Sequence, residues 1–271
     1  MIYSFMTFST PEQTLDEIFN IALEYRYDAI EPRVGSGHKH RIETDSSATD
    51  RENIRKKSEE TGIKLCCLAS SCKFADPAET AENVEQTHKV IDLAADVGAP
   101  CIRVFGGPFP DDISRNQALE NVAKALKSLC AHAEERNVIV CMETHDSWCN
   151  PEHVARIMRK VNHPFIAVNW DIMHPVRMGF MSIERSFEAL KPWIRHVHVH
   201  DGGTVDIGLC QTGLGIIDHR KAIELLLSIN YEGVISGEWI KWVDTYPVYL
   251  PREIAILRSY ETAIRMGLTM K

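Results

Sequence analysis

The sequence predicts an α/β protein built as one (β/α)8 barrel. Three observations predict it. Eight short β-branched or apolar runs alternate with longer stretches of helical period. No Pro- or Gly-rich linker divides residues 1–271, so the chain reads as a single domain. No GxGxxG opens the first helix, which removes the main signature of a dinucleotide-binding doubly wound sheet. The length of 271 residues suits a barrel of this class, which takes about 250 residues.

The elements follow in order. Ile2–Phe8 reads as the first strand. Thr10-Pro11-Glu12-Gln13 opens a helix, with a cap-type Thr, a Pro and an acidic first turn. Ala29–Val34 and Lys64–Ala69 read as strands two and three. Glu79–Val97 repeats Val84, Val90, Ile91, Ala94 and Val97 at helical spacing and stops at Gly98. Ile102–Phe105 is the fourth strand. Arg115–Arg136 carries Leu119, Val122, Ala123, Leu126, Leu129 and Ala133 on one helical face. Val138–Glu143 is the fifth strand, and Asn150-Pro151 starts the helix Glu152–Val161. Ile166–Asp171 and Ile194–His200 are strands six and seven. Asp218 precedes a helix with Ile223, Leu226, Leu227 and Ile229. Val234–Glu238 is the eighth strand, and Pro251–Met266 closes the chain with a helix. The longest irregular stretches are Gly35–Ser47, Gly106–Ile113 and Gly202–Gly215. Each follows a strand and is therefore expected on the catalytic face of the barrel.

Charge and composition narrow the function. Lys and Arg total 30 against 38 Asp and Glu, a net −8 with His neutral. Such a surface argues against nucleic acid as partner, because phosphate neutralisation needs a basic face. The longest apolar runs, Val138–Met142 and Ile223–Leu227, are far too short to span a bilayer, so no membrane role is expected. Met1–Met6 has no basic region and no cleavage site, so no signal peptide is read and a cytoplasmic location is expected. The eight cysteines read as reduced core residues. No CxxC pair exists, so the spacing gives a thiolate zinc knuckle no support. A small-molecule substrate is the expected partner, and a homo-oligomer is compatible with the chain.

Buried parallel strands should be apolar throughout, so ionisable residues at their ends are informative. Val138-Ile139-Val140-Cys141-Met142 ends in Glu143. Ile166-Ala167-Val168-Asn169-Trp170 ends in Asp171. Ile194-Arg195-His196-Val197 leads to His198, Val199, His200 and Asp201. Val234-Ile235-Ser236-Gly237 ends in Glu238. Four successive strands thus place Glu, Asp, His and Glu at one mouth. Three close carboxylates cannot all stay ionised in a shielded cavity without a cation. The mixed oxygen and nitrogen set suits one divalent ion per chain, Mn²⁺, Mg²⁺ or Zn²⁺. A purely structural network is the competing reading.

At these residues the sequence resembles the xylose isomerase-like TIM barrels, the group of sugar phosphate isomerases and epimerases, inositol-pathway enzymes, dehydroshikimate dehydratases and endonuclease IV. The matching stretches are Met142-Glu143-Thr144-His145, Trp170-Asp171-Ile172-Met173-His174, His196-Val197-His198-Val199-His200-Asp201 and Gly237-Glu238-Trp239. Cys101-Ile102-Arg103-Val104-Phe105-Gly106-Gly107 and Thr212-Gly213-Leu214-Gly215-Ile216-Ile217-Asp218 also fit, with Leu214 in place of the usual Glu.

The resemblance implies that Glu143, Asp171, His198 and Glu238 bind one metal. His196, His198 and His200 share a strand face, so geometry alone selects none of them; the family pattern selects His198. It implies a sugar isomerase or epimerase in which Glu143 and Glu238 move a proton next to a carbonyl through a metal-bound enediolate, assisted by His174. His145, His174, Asp201, Arg103 and Trp239 are expected to meet the substrate. Arg103 needs an acidic partner, with Glu31 as candidate. His196 reads as a satisfied core histidine, and His38 and His40 as residues of a solvated loop.

Three rival readings follow. A dehydratase would share the first proton abstraction, and dehydroshikimate dehydratases share the Glu143-Thr144-His145 run. A three-zinc nuclease would need histidines after the third and fourth strands, where Ser70-Ser71 and Gly106-Gly107 stand. A non-catalytic sugar-binding module would keep the pocket without turnover.

Overall fold

The computed structural model describes residues 1–203, 208–240 and 242–268. Its strands are β1 (Ile2–Met6), β2 (Ala29–Glu31), β3 (Lys64–Leu65), β4 (Leu68–Lys73), β5 (Cys101–Phe105), β6 (Ile139–Glu143), β7 (Ile166–Asp171), β8 (Ile194–Val199), β9 (Asp201–Gly202), β10 (Leu209–Cys210) and β11 (Val234–Gly237). Nine of them form one sheet in the order β3-β2-β1-β11-β8-β7-β6-β5-β4, and its pairings are parallel. The end of β2 reaches β4 through an Arg33–Ala69 bridge, with Ala69 N donating to Pro32 O at 2.9 Å and Val34 N to Ala69 O at 3.0 Å. The sheet is thereby closed into a (β/α)8 TIM barrel. β9 and β10 form a separate antiparallel pair beyond β8. Residues 204–207 of the predicted loop Gly202–Gly215 lie outside the described residues.

The helices are α1 (Leu15–Tyr25), α2 (Ala48–Thr61), α3 (Thr80–Val97), α4 (Arg115–Glu135), α5 (Pro151–Val161), α6 (Met173–Arg177), α7 (Ile183–Leu190), α8 (His219–Ser228) and α9 (Tyr246–Arg265). They bury their apolar stripes on the outer face of the sheet; α4 does so with Leu119, Val122, Ala123, Leu126, Leu129 and Ala133, the face predicted from spacing. Asn150 caps α5 and Asp218 caps α8, as expected.

Three expectations are corrected. Thr10 does not cap the first helix. Thr14 does, because Glu17 three residues on completes a reciprocal capping box. The last helix begins at Tyr246, with Pro247 in its first turn, and Pro251 lies inside it. The third barrel strand is not continuous; it breaks at Cys66-Cys67 into β3 and β4. Helix α2 gives almost no apolar signal because Ile54 is its one buried residue, and Ser47 and Asp50 define its start.

Inside the barrel the floor is small and apolar: Ala29, Cys66, Cys67, Cys101, Cys141, Ala167 and Val234 cluster there. Because side chains alternate along a strand, Cys141 and Glu143 share a face, as do Cys101 and Arg103, and His196 and His198. The cysteine layer therefore lies one step below the polar layer. Among the described residues no helix is long and apolar enough to cross a membrane.

Candidate active site

The polar layer sits where the strands end. Glu143 closes β6, Asp171 closes β7, His198 is next to last in β8, and Glu238 follows β11 while its N–H still donates to Val199 O. Register aligns Asp171 and Ser236 with His198 on either side. Potential ligand atoms of Glu143, Asp171, His198 and Glu238 all lie within 4.8 Å of one another, and the four residues are buried. His198 Nδ1 is 3.4 Å from Glu143 Oε1 and 3.5 Å from Glu238 Oε2. Among the described residues, Glu143 Oε1, His198 Nδ1 and Glu238 Oε2 make no hydrogen bond, while Glu143 Oε2 and Asp171 Oδ2 face Arg103 Nε at 3.0 Å and His200 Nε2 at 2.7 Å. Buried polar atoms left unpartnered are costly. A divalent cation among them would satisfy the three unpartnered atoms at once, so the residues fit a metal.

Glu31, at the end of β2, supports this set from below. Its carboxylate accepts from His198 Nε2 at 3.0 and 3.1 Å and from His196 Nε2 at 2.9 Å. That bond assigns a proton of His198 to Nε2 and turns Nδ1 toward Glu143 and Glu238. Burial alone would raise the Glu31 carboxyl, but His198 and His196 outweigh it and hold it well below its ordinary range. His198 is held well above its range, since Glu31 and Glu143 overcome the opposing effect of burial.

Arg103 is fully buried, and its partner is Glu143, not Glu31: Nε lies 3.0 Å from Glu143 Oε2. Glu31 is already taken by two imidazoles, whereas β6 lies beside β5 and presents Glu143 directly. Arg103 also donates to Ser70 O at 2.9 Å, and its guanidinium lies 4.0 Å from the Phe105 ring centroid. Burial would raise the Glu143 carboxyl, but Arg103 and then His198 bring it down to about 2.

Three imidazoles ring the upper side. His200 Nε2 is 2.7 Å from Asp171 Oδ2, and His174 Nε2 is 4.0 Å from the same oxygen. The His145 ring packs edge-on against His174 at 4.2 Å, and His174 against His200 at 5.3 Å. Burial lowers His174 from its ordinary range, against the opposing pull of Asp171. Burial also opposes the charge on His145, but Asp146, 2.7 Å away, and Glu143 raise it to about 9.

Asp201 and Trp239 adjoin the strand ends that carry these residues, and His38 and His40 lie in the loop after β2. Asp201 directs its carboxylate to the backbone, accepting from Gly202, Gly213, Gly215 and Ile217 N–H at 2.9–3.2 Å. Both of its oxygens are engaged in closing the loop after β8. Trp239 is buried, stacked on Trp242 at 5.5 Å and packed over Gly237, where any Cβ would meet the ring at 2.1 Å. His38 and His40 are buried, against the expectation of a solvated loop: both rings approach Thr7 Oγ1, at 3.2 and 3.4 Å, and burial brings His40 down to about 3. Sequence reasoning weighed Glu31 only as an Arg103 partner. The signal for its role is that Glu31 ends an apolar strand, while three histidines alternate along another and need an acid.

Residues 19–260 match the family model described as xylose isomerase-like TIM barrel. The chain belongs to that family. Within it, the chain is 21% identical over 210 residues to a 3-dehydroshikimate dehydratase of Bacillus anthracis, covering 76% of this chain and 74% of that protein. Among solved structures it is similar to a D-tagatose 3-epimerase-like protein, at TM-score 0.80 and 20% identity, covering 98% of this chain and 99% of that one. It is equally similar in fold to the IolI protein with a bound zinc atom, at TM-score 0.80 and 17% identity over the full length of both chains. These xylose isomerase-like relatives include both epimerase- and dehydratase-type enzymes.

Proposed function

We propose that the protein is a divalent-metal-dependent isomerase or epimerase of a sugar-like hydroxy-carbonyl compound, working by proton abstraction next to the carbonyl. The observation that carries this reading is the buried Glu143/Asp171/His198/Glu238 set, whose ligand-type atoms lie within 4.8 Å of one another, with Glu143 Oε1, His198 Nδ1 and Glu238 Oε2 free of hydrogen bonds among the described residues. A cation bound there supplies Lewis-acid polarisation of the substrate carbonyl. Glu143 and Glu238 approach from β6 and from the end of β11, on the two sides of His198, and remove and return the proton. Arg103 keeps Glu143 ionised, so it meets the substrate as a proton acceptor. His145, charged at neutral pH, donates a hydrogen bond or proton to a substrate oxygen, and His174 beside it, its charged form disfavoured by burial, relays a proton.

A second reading is dehydration after the same first step. It is supported by the similarity to a 3-dehydroshikimate dehydratase, and by His145, an acid suited to a departing hydroxyl. One experiment addresses both. The protein with added Mn²⁺ is incubated in D₂O with ketopentoses, ketohexoses and 3-dehydroshikimate, followed by NMR and by absorbance for a conjugated product. Deuterium beside the carbonyl without water loss supports isomerisation, and a conjugated product supports the lyase. Both should vanish in Glu143→Gln and Glu238→Gln. Full rates in both variants would refute the proton-transfer roles.

A further inference from the structure

The floor of the barrel carries a second donor cluster, which the reaction above does not use. Cys67 sits at the break between β3 and β4, Cys101 opens β5, and His196 lies in β8. Donor atoms of these three residues lie within 4.8 Å of one another, and all three residues are buried. His196 gives Nε2 to Glu31, and its Nδ1 is buried with no hydrogen-bond partner among the described residues. Buried thiols alone are ordinary small hydrophobes. A buried imidazole nitrogen without a hydrogen-bond partner, on a residue of that same cluster, is not explained by apolar packing, because a buried polar atom left unsatisfied is costly.

We infer that Cys67, Cys101 and His196 form a second metal site, for a thiophilic cation of the zinc type, beneath the oxygen-rich set. Two thiolates and a neutral imidazole are a sulfur- and nitrogen-rich set, while hard ions prefer carboxylates and water. The two layers thus sort cations by softness. Binding is balanced without redox chemistry: each thiol gives its proton to solvent as its zinc–sulfur bond forms, and the imidazole coordinates as the neutral base. Two thiolates cancel the charge of the dication, so the centre is neutral and compatible with an apolar floor lined by Ala29, Ala167 and Val234. The Cys101 thiol donates to Cys66 O at 3.2 Å and gives up that bond as it coordinates.

The placement has a structural consequence. The third barrel strand is interrupted at Cys66-Cys67, and a metal held by Cys67, Cys101 and His196 fastens that break to β5 and β8. Glu31 joins the two layers, since one carboxylate accepts from both His196 and His198.

The test is zinc K-edge absorption with elemental analysis on full-length protein, produced in zinc-supplemented medium and purified under reductant. The expected wild-type spectrum contains a sulfur shell at about 2.3 Å. Cys67→Ala/Cys101→Ala should lose that shell and keep zinc bound by nitrogen and oxygen only. Glu143→Gln/Glu238→Gln should bind one zinc fewer and keep the sulfur shell. A wild-type spectrum with nitrogen and oxygen neighbours alone overturns the inference and needs no variant to be folded. So does a sulfur shell that survives in the cysteine variant.

Discussion

The Glu31 carboxylate accepts from His198 Nε2 through both of its oxygens, at 3.0 and 3.1 Å, and so orients the one imidazole that faces three carboxylates at the barrel mouth. Metal-binding histidines are commonly held this way, and loss of the orienting partner typically costs about 10–100-fold in metal affinity. Glu31→Gln keeps the shape and removes the charge. Its Kd for Mn²⁺ by calorimetry should rise by about that factor. An unchanged Kd would show that His198 needs no help from β2.

Arg103→Met removes the cation beside Glu143 at nearly constant volume. Breaking a buried pair by deleting one partner costs about 3–5 kcal/mol, readable by urea unfolding of metal-free protein. The pH dependence follows from the sign of the shift. Glu143 sits at about 2 in the folded protein against 4.5 for the free group. Its contribution is therefore full above 4.5 and is lost as pH falls from there through about 2. In Arg103→Met the folded value moves up, so this acid-side loss should shrink or reverse sign. Identical acid-unfolding curves would contradict the pairing.

His145 runs the opposite way. Its folded value of about 9 lies above the ordinary 6.5, so its stabilisation is full below 6.5 and is lost as pH rises through about 9. Imidazole NMR titration of the metal-free protein should place His145 near that value, and Asp146→Asn should lower it. A midpoint at 6.5 that Asp146→Asn leaves alone would remove His145 from the acid role.

Gly215 has no room for a side chain. A Cβ there would lie 2.1 Å from Asp201 Oδ1 and 2.4 Å from Gly202 O. Gly215→Ala should displace the loop tied by Asp201 and cost about 1–3 kcal/mol, the range for overpacking. Unfolding midpoints equal to wild type would mean that the loop adapts freely.

Much of the fold was legible because buried parallel strands are apolar until they end, and a polar residue then stands out. Glu143, Asp171, His198 and Glu238 were found in that way, and the structure brings all four together. Pairing was less legible. Arg103 found Glu143 rather than Glu31 because partner choice follows strand neighbours in a closed barrel, which no local pattern encodes. His38 and His40 were misjudged because a loop folded onto Thr7 has no periodic signature. The sulfur cluster was hidden for the same reason: Cys67, Cys101 and His196 come from separate strands, so no CxxC spacing announces them.

The central claim is that the four strand-end residues hold one hard divalent cation. The most direct measurement is Mn²⁺ titration of chelator-treated protein, followed by electron paramagnetic resonance, beside the Glu143→Gln/His198→Ala variant. Manganese prefers oxygen donors, so it reports on the upper layer. Saturable binding of one Mn²⁺ per chain in the wild type, absent from the folded variant, is the predicted result. Equal binding by both proteins, or binding by neither, would contradict the account and leave the four residues a structural network.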